Sequence, residues 1–209
     1  MAVIVMALSM WISSVIYDYS ADGQWYHMPA AYALSHGWNP VYVHHNPIIA
    51  EAHHANLWID HYSKGMETLA ATVIALTGNV ESGKAVNMIM LLATLCLSFS
   101  VLRNPYFFGL SLRKSIFYSL VIGFCPIVNC ELFTSYIDLA VYFCIVWLMI
   151  GFILLYKEVS YYSLIFCLAI VYLGGSIKLN LMFWMGYMTF FYLAYLFFRK
   201  RRGTFKKLL

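Results

Sequence analysis

Apolar residues in this chain run in long blocks, and polar residues collect in a few places between them. Six blocks stand out, at roughly residues 1–17, 84–102, 114–130, 136–156, 161–177 and 180–198. A helix needs about 20 mostly apolar residues to cross about 30 Å of hydrocarbon, and each block meets or approaches that length. The first is short, starts at the initiator and lacks the positive flank and small-residue cleavage site of a removable signal, so it is read as a retained span. A seventh apolar stretch, Met66 to Thr77, has only about 12 residues before Gly78-Asn79. It is too short to span and is predicted to lie along the interface or re-enter it. The pattern predicts an all-α fold, a single polytopic transmembrane bundle of about six spans over residues 1–209.

Composition supports a lipid solvent. Of 209 residues 63% are hydrophobic and 11% charged, against about 25% charged in soluble domains. A soluble domain of this size cannot hide such an excess, whereas a bilayer lets apolar side chains face outward. The net charge of +4 is concentrated in Arg199, Lys200, Arg201, Arg202, Lys206 and Lys207, directly after the last apolar block. That is a positive-inside anchor and not a nucleic-acid surface. Arg103, Arg113, Lys114 and Lys157 fall on the same face if there are six crossings, which predicts cytoplasmic termini and a basic cytoplasmic tail at 199–209. Counting Met66–Thr77 as a span would split the basic links between both faces. A tail that no apolar block follows leaves two expectations side by side, a complete chain and a fragment of a longer protein.

Residues 18–83 then form one external loop of about 65 residues, too long for a structureless connection and expected to contain short interfacial helices. It holds all seven histidines, six of the nine acids and Trp25, Trp38 and Trp58, read as interfacial anchors. The five cysteines lie in or beside apolar blocks without metal-type spacing and read as small buried hydrophobes.

Four places carry candidate chemistry. In Tyr17-Asp18-Tyr19-Ser20-Ala21-Asp22-Gly23-Gln24-Trp25-Tyr26-His27, two carboxylates four residues apart stand at the mouth of a span among aromatics. They could supply a general base or hold a cation, or simply face water. In Trp58-Ile59-Asp60-His61-Tyr62-Ser63-Lys64-Gly65, the lone ammonium of Lys64 suits a phosphate, or snorkels at the interface. Asp138 and Lys178 are ionisable residues at the outer ends of the fourth and fifth spans, functional candidates by their depth; helix capping and snorkelling are the plainer readings. The pairs His44-His45 and His53-His54 suggest zinc, but adjacent residues rarely converge on one ion and no HExxH spacing occurs. No metal site is assigned. No Walker, GxGxxG or GxSxG element is present.

A first span running into Asp22-Gly23-Gln24-Trp25-Tyr26 resembles the acidic D-x-x-x-Y element of GT-C membrane glycosyltransferases, which include protein O-mannosyltransferases and lipid A aminoarabinose transferases. Trp38-Asn39-Pro40, His61-Tyr62-Ser63-Lys64-Gly65 and Leu76-Thr77-Gly78-Asn79 before a new span at Lys84 are similar to that family's downstream pattern. The likeness covers roughly residues 5–180 and the amino-terminal catalytic half. The family's Pro beside the Lys is Ser63 here, and its carboxy-terminal spans are missing. The resemblance implies transfer of a sugar from a polyprenyl-phosphate donor to a glycan, lipid or protein acceptor at the outer face of a bacterial inner membrane. It implies Asp22 as the acid that deprotonates or orients the acceptor, and Lys64, Tyr62 and Lys178 at the donor phosphate. Asp138 would be the second external acid, with Tyr26, His27, His61 and Asp18 as substrate contacts. No cofactor is assigned with certainty, and a divalent cation is compatible with these acids. The competing class is a non-enzymatic subunit or transporter that binds ligands with the loop. Transporters favour broken helices and mid-span charges, whereas here Gly174-Gly175 is the only such break and charges sit at helix ends.

Overall fold

The computed structural model describes residues 2–43, 56–157 and 159–205, with backbone alone at 56–58 and 199–205. These residues form ten α-helices and no strand. They are α1 (Ala2–Ser14), α2 (Met28–Ser35), α3 (Asn56–His61), α4 (Gly65–Thr77), α5 (Ala85–Arg103), α6 (Leu112–Gly123), α7 (Pro126–Glu131), α8 (Asp138–Lys157), α9 (Tyr161–Ile177) and α10 (Leu179–Phe205). A π-helical turn, Gly23–His27, leads into α2, and a 3₁₀ turn, Val80–Lys84, leads into α5.

Three helices are long and apolar enough to cross a membrane: Val80–Arg103, which joins the 3₁₀ turn to α5, then α8, then Leu179–Phe198 of α10. Three of the six expected spans therefore appear at full length among the described residues. The others are shorter, for local reasons. Helix α1 has 13 residues and α9 has 17. The block 114–130 divides at Cys125-Pro126: α6 closes at Gly123, Cys125 is extended (φ −69°, ψ 165°), and Pro126 opens α7. Proline disfavours a helical residue before it and cannot donate the bond that would continue α6. Helix α10 runs on through Arg199–Arg202 to Phe205.

The bundle core unites α5, α8, α9 and α10 through Met90, Leu91, Phe143, Leu148, Leu155, Cys167, Ile170 and Met185. Small residues bring helices close: a Cβ on Gly151 would meet Cys167 Sγ at 2.6 Å, the close approach favoured between helices in lipid. Polar bonds tie the same helices, with Trp147 Nε1 donating to Thr94 Oγ1 (2.8 Å) and the Tyr192 hydroxyl to Phe152 O (2.7 Å). All five cysteines are free.

The described residues between α1 and α5 pack together. Ala30, Ala33, Trp38 and Ile59 build a second small core, with Tyr26 and Leu34 against it. Trp38, expected as an interfacial anchor, is buried there and donates to Val43 O (3.0 Å). Trp25 is exposed. Helix α4 is closed by Gly78 in the left-handed conformation (φ 68°), which suits glycine. Asn79 then accepts from Glu81 N (2.9 Å) and starts the 3₁₀ turn.

Candidate functional site

The end of α1, the turns before α2 and α5, the start of α8 and the junction of α9 with α10 meet at one end of the bundle. Asp18, fully buried, is the hub on the α1 side. Its Oδ1 accepts from Ser20 N (2.8 Å) and its Oδ2 from Ser135 N (2.7 Å). Its own N–H donates to Glu81 Oε2 (3.2 Å), and its carbonyl receives Gln24 Nε2. Buried Lys84 pairs with Glu81 and donates to Ile16 O. Asp18, a candidate substrate contact, thus holds the loops together.

His27 and Glu67, each 3% exposed, are joined at 2.7 Å. This pair fastens the π turn to α4. Neither presents a surface to solvent, so His27 works inside the fold. Glu67 Oε2 and Asn87 Oδ1 have no hydrogen-bond partner among the described residues, and both residues line a cavity of about 30 Å³ with Lys84, Ser135 and Tyr136. A cavity that size has room for about one water molecule.

More open residues lie beside this buried layer. The Tyr26 hydroxyl donates to Asp22 Oδ2 (3.0 Å). Burial first, then the Asp22 carboxylate, pushes the Tyr26 phenol well above its ordinary range. Tyr26 lies against Tyr62, with ring centroids 5.6 Å apart. The Tyr62 carbonyl receives the Lys64 ammonium. Burial holds that ammonium below the usual lysine range, opposed by Glu67 and Asp60. Lys64 opens onto a groove of about 520 Å³ whose walls are Gly65, Thr68 and Leu69 of α4 with Leu173, Gly175 and Ser176 of α9. His61 is exposed at the end of α3.

On the bundle side, Lys178 Nζ pairs with Asp138 Oδ1, both part-exposed. Glu131 Oε2 accepts from Leu139 N (3.0 Å) and braces the start of α8.

The fold therefore gathers Asp22, Tyr26, Tyr62, Lys64, Asp138 and Lys178 at one end. Sequence reasoning gave no role to Glu67, Lys84, Asn87 or Tyr136. The signal was available for Glu67, a carboxylate inside an otherwise apolar helix. Among the described residues no three His, Cys, Asp or Glu side chains gather to hold a metal ion. His44, His45, His53 and His54, the basis of the zinc idea, lie outside the described residues. Compared with protein-family models, curated proteins and solved structures, the chain matches none.

Proposed function

We propose that this protein is a GT-C-type membrane glycosyltransferase, or the amino-terminal half of one, that moves a sugar from a polyprenyl-phosphate donor to an acceptor hydroxyl. The observation that supports it best is the linked run from Asp22 through Tyr26 and Tyr62 to Lys64, beside an open groove and at the same end as the Asp138–Lys178 pair. On this reading the Asp22 carboxylate, oriented by the Tyr26 hydroxyl, takes the proton from the acceptor hydroxyl. The acceptor oxygen bonds to the anomeric carbon as the bond from that carbon to the phosphate oxygen breaks. The departing lipid phosphate gathers negative charge, which Lys64 and Lys178 stabilise where it develops. A divalent cation is not needed for this balance of charge and protons.

In this proposal α1, the α6–α7 pair and α9 complete six crossings with the three long helices. Helix α9, at about 1.5 Å per residue, covers about 26 Å, within the tolerance of a bilayer. Arg103, Arg113, Lys114 and Lys157 then face the cytoplasm of a bacterial inner membrane with both termini, and the site opens outward.

The test is radiolabelled sugar transfer from polyprenyl-phosphate donors by the purified protein, wild type against Asp22→Asn. Transfer that disappears in a folded mutant supports the reading. Transfer retained in full overturns the role of Asp22, and a folded wild type inert toward every donor favours a binding subunit.

A further inference from the structure

A second concavity lies at the opposite end of the bundle from Asp22 and Lys64. It is a groove of about 810 Å³ between the second half of α8 and the middle of α10, floored by Phe107 and Phe108 of the α5–α6 link. Along α8 it extends from Met149 to Lys157, and along α10 from Tyr187 to Tyr195. Each wall covers eight residue steps, about 12 Å at 1.5 Å per residue. That is close to one leaflet's share of a hydrocarbon core about 30 Å thick.

The lining is aromatic and aliphatic except at one end, where Lys157 stands. Its ammonium lies 5.9 Å from the centroid of the Tyr106 ring, and the Tyr106 hydroxyl donates to the Lys157 carbonyl (3.4 Å). Lys157 has no carboxylate partner among the described residues. Arg103, at the same end, donates to Leu110 O (3.0 Å). The groove is therefore nearly as long as a leaflet is thick, apolar along its length, and cationic at one end. Its α10 wall is also largely uncovered: only 17% of the α10 span is buried within the protein, against 50% for α8.

We propose that this groove is a binding site for an anionic membrane phospholipid of the phosphatidylglycerol type. An acyl chain lies along Phe152, Met188 and Phe191, and the phosphate meets the Lys157 ammonium. A packed helix would equally cover the apolar walls but gives no reason for a cation at their end that has no carboxylate partner among the described residues. Anionic lipid headgroups are recognised by basic pockets between membrane helices. The site is independent of the glycosyltransferase reading.

The experiment compares phosphatidylglycerol with phosphatidylcholine added to the detergent-purified full chain, read by native mass spectrometry and by thermal unfolding. The wild type should retain one phospholipid, preferring phosphatidylglycerol by about fivefold, the factor one lysine contributes near an anionic surface. Lys157→Gln should lose that preference while still retaining lipid, and Met188→Trp, which fills the groove, should retain neither lipid. Equal retention of the two lipids by the wild type would overturn the proposal. So would an unchanged preference in folded Lys157→Gln, or a dimer that carries no phospholipid, which would make a second copy the occupant.

Discussion

Asp18 accepts the backbone N–H of Ser135, 117 residues further along the chain, at 2.7 Å. One buried carboxylate thereby fixes the exit of α1 to the strand of loop that enters α8. Asp22, four residues on, is half-buried and bonded to the Tyr26 hydroxyl. Two acids that look equivalent in sequence thus have different surroundings, and they should fail differently. Asp18→Ala leaves the N–H groups of Ser20 and Ser135 without an acceptor, at about 1–3 kcal/mol each, and should lower the thermal midpoint in detergent. Asp22→Asn should leave the midpoint near wild type and abolish transfer. Equal midpoints for both mutants would show that Asp18 is not a clamp.

The His27–Glu67 pair joins the π turn to α4 with both side chains out of water. Removing one partner of such a pair strands the other, at about 3–5 kcal/mol. Glu67→Ala should therefore unfold far more readily than wild type, and His27→Ala similarly. The double mutant should cost less than the sum of the two, because neither group is then left alone. Additive losses in the double-mutant cycle would mean that the pair contributes nothing beyond its separate packing.

Gly65 starts α4 against the last turn of α9, where an added Cβ would lie 2.5 Å from the Ser176 carbonyl oxygen. That contact is backbone on one side and a helix terminus on the other, so neither yields easily. Gly65→Ala should cost about 1–3 kcal/mol, the usual range for overpacking, and should widen the groove beside Lys64. Transfer should fall more than stability does. A mutant with wild-type stability and activity would show that α4 can shift freely on α9.

Burial holds the Lys64 ammonium below the ordinary lysine value of 10.5. Between the lowered value and 10.5 the unfolded chain still binds the proton that the folded chain has released. Stability attributable to Lys64 therefore rises with pH across that window. The wild type should gain on Lys64→Met as pH increases toward 10.5, measured as the difference between their unfolding curves. Transfer that needs the charged form should decline on the alkaline side at a pH below that of an exposed lysine. Parallel stability curves for the two proteins would count against partial burial depressing the Lys64 ammonium.

The three long helices were legible in the sequence because a run of apolar residues bounded by charges specifies both length and solvent. The break at Cys125-Pro126 was signalled by the proline, yet the apolar block around it reads as continuous. Polar residues flanking the blocks were harder. Lys84 and Glu81 look like the wet rim of a span, but they are paired with each other beneath the Asp18 hub, Lys84 buried and Glu81 half-buried. The partners that decide burial, Ser135 for Asp18 and Glu67 for His27, are 117 and 40 residues distant. No local pattern carries that information. Tyr26, Tyr62 and Lys64 could be picked out as chemically suited residues, whereas the contact of Tyr26 with Tyr62 depends on the π turn, which no residue spacing announced.

The Asp138–Lys178 pair offers a separation of stability from activity. Both side chains are part-exposed, and exposed ion pairs are worth about 0–1 kcal/mol. Asp138→Asn or Lys178→Gln should therefore move the thermal midpoint little. If Lys178 stabilises the departing lipid phosphate, Lys178→Gln should lower the rate of transfer by an order of magnitude or more, since one well-placed group is worth about 2.7–4 kcal/mol in such a role. Asp138→Asn frees the ammonium from its carboxylate without removing it, so the donor should bind at least as well while turnover changes less than in Lys178→Gln. Kinetics with varied donor concentration distinguish the two mutants. Equal and small effects on both stability and transfer would reduce the pair to a surface contact.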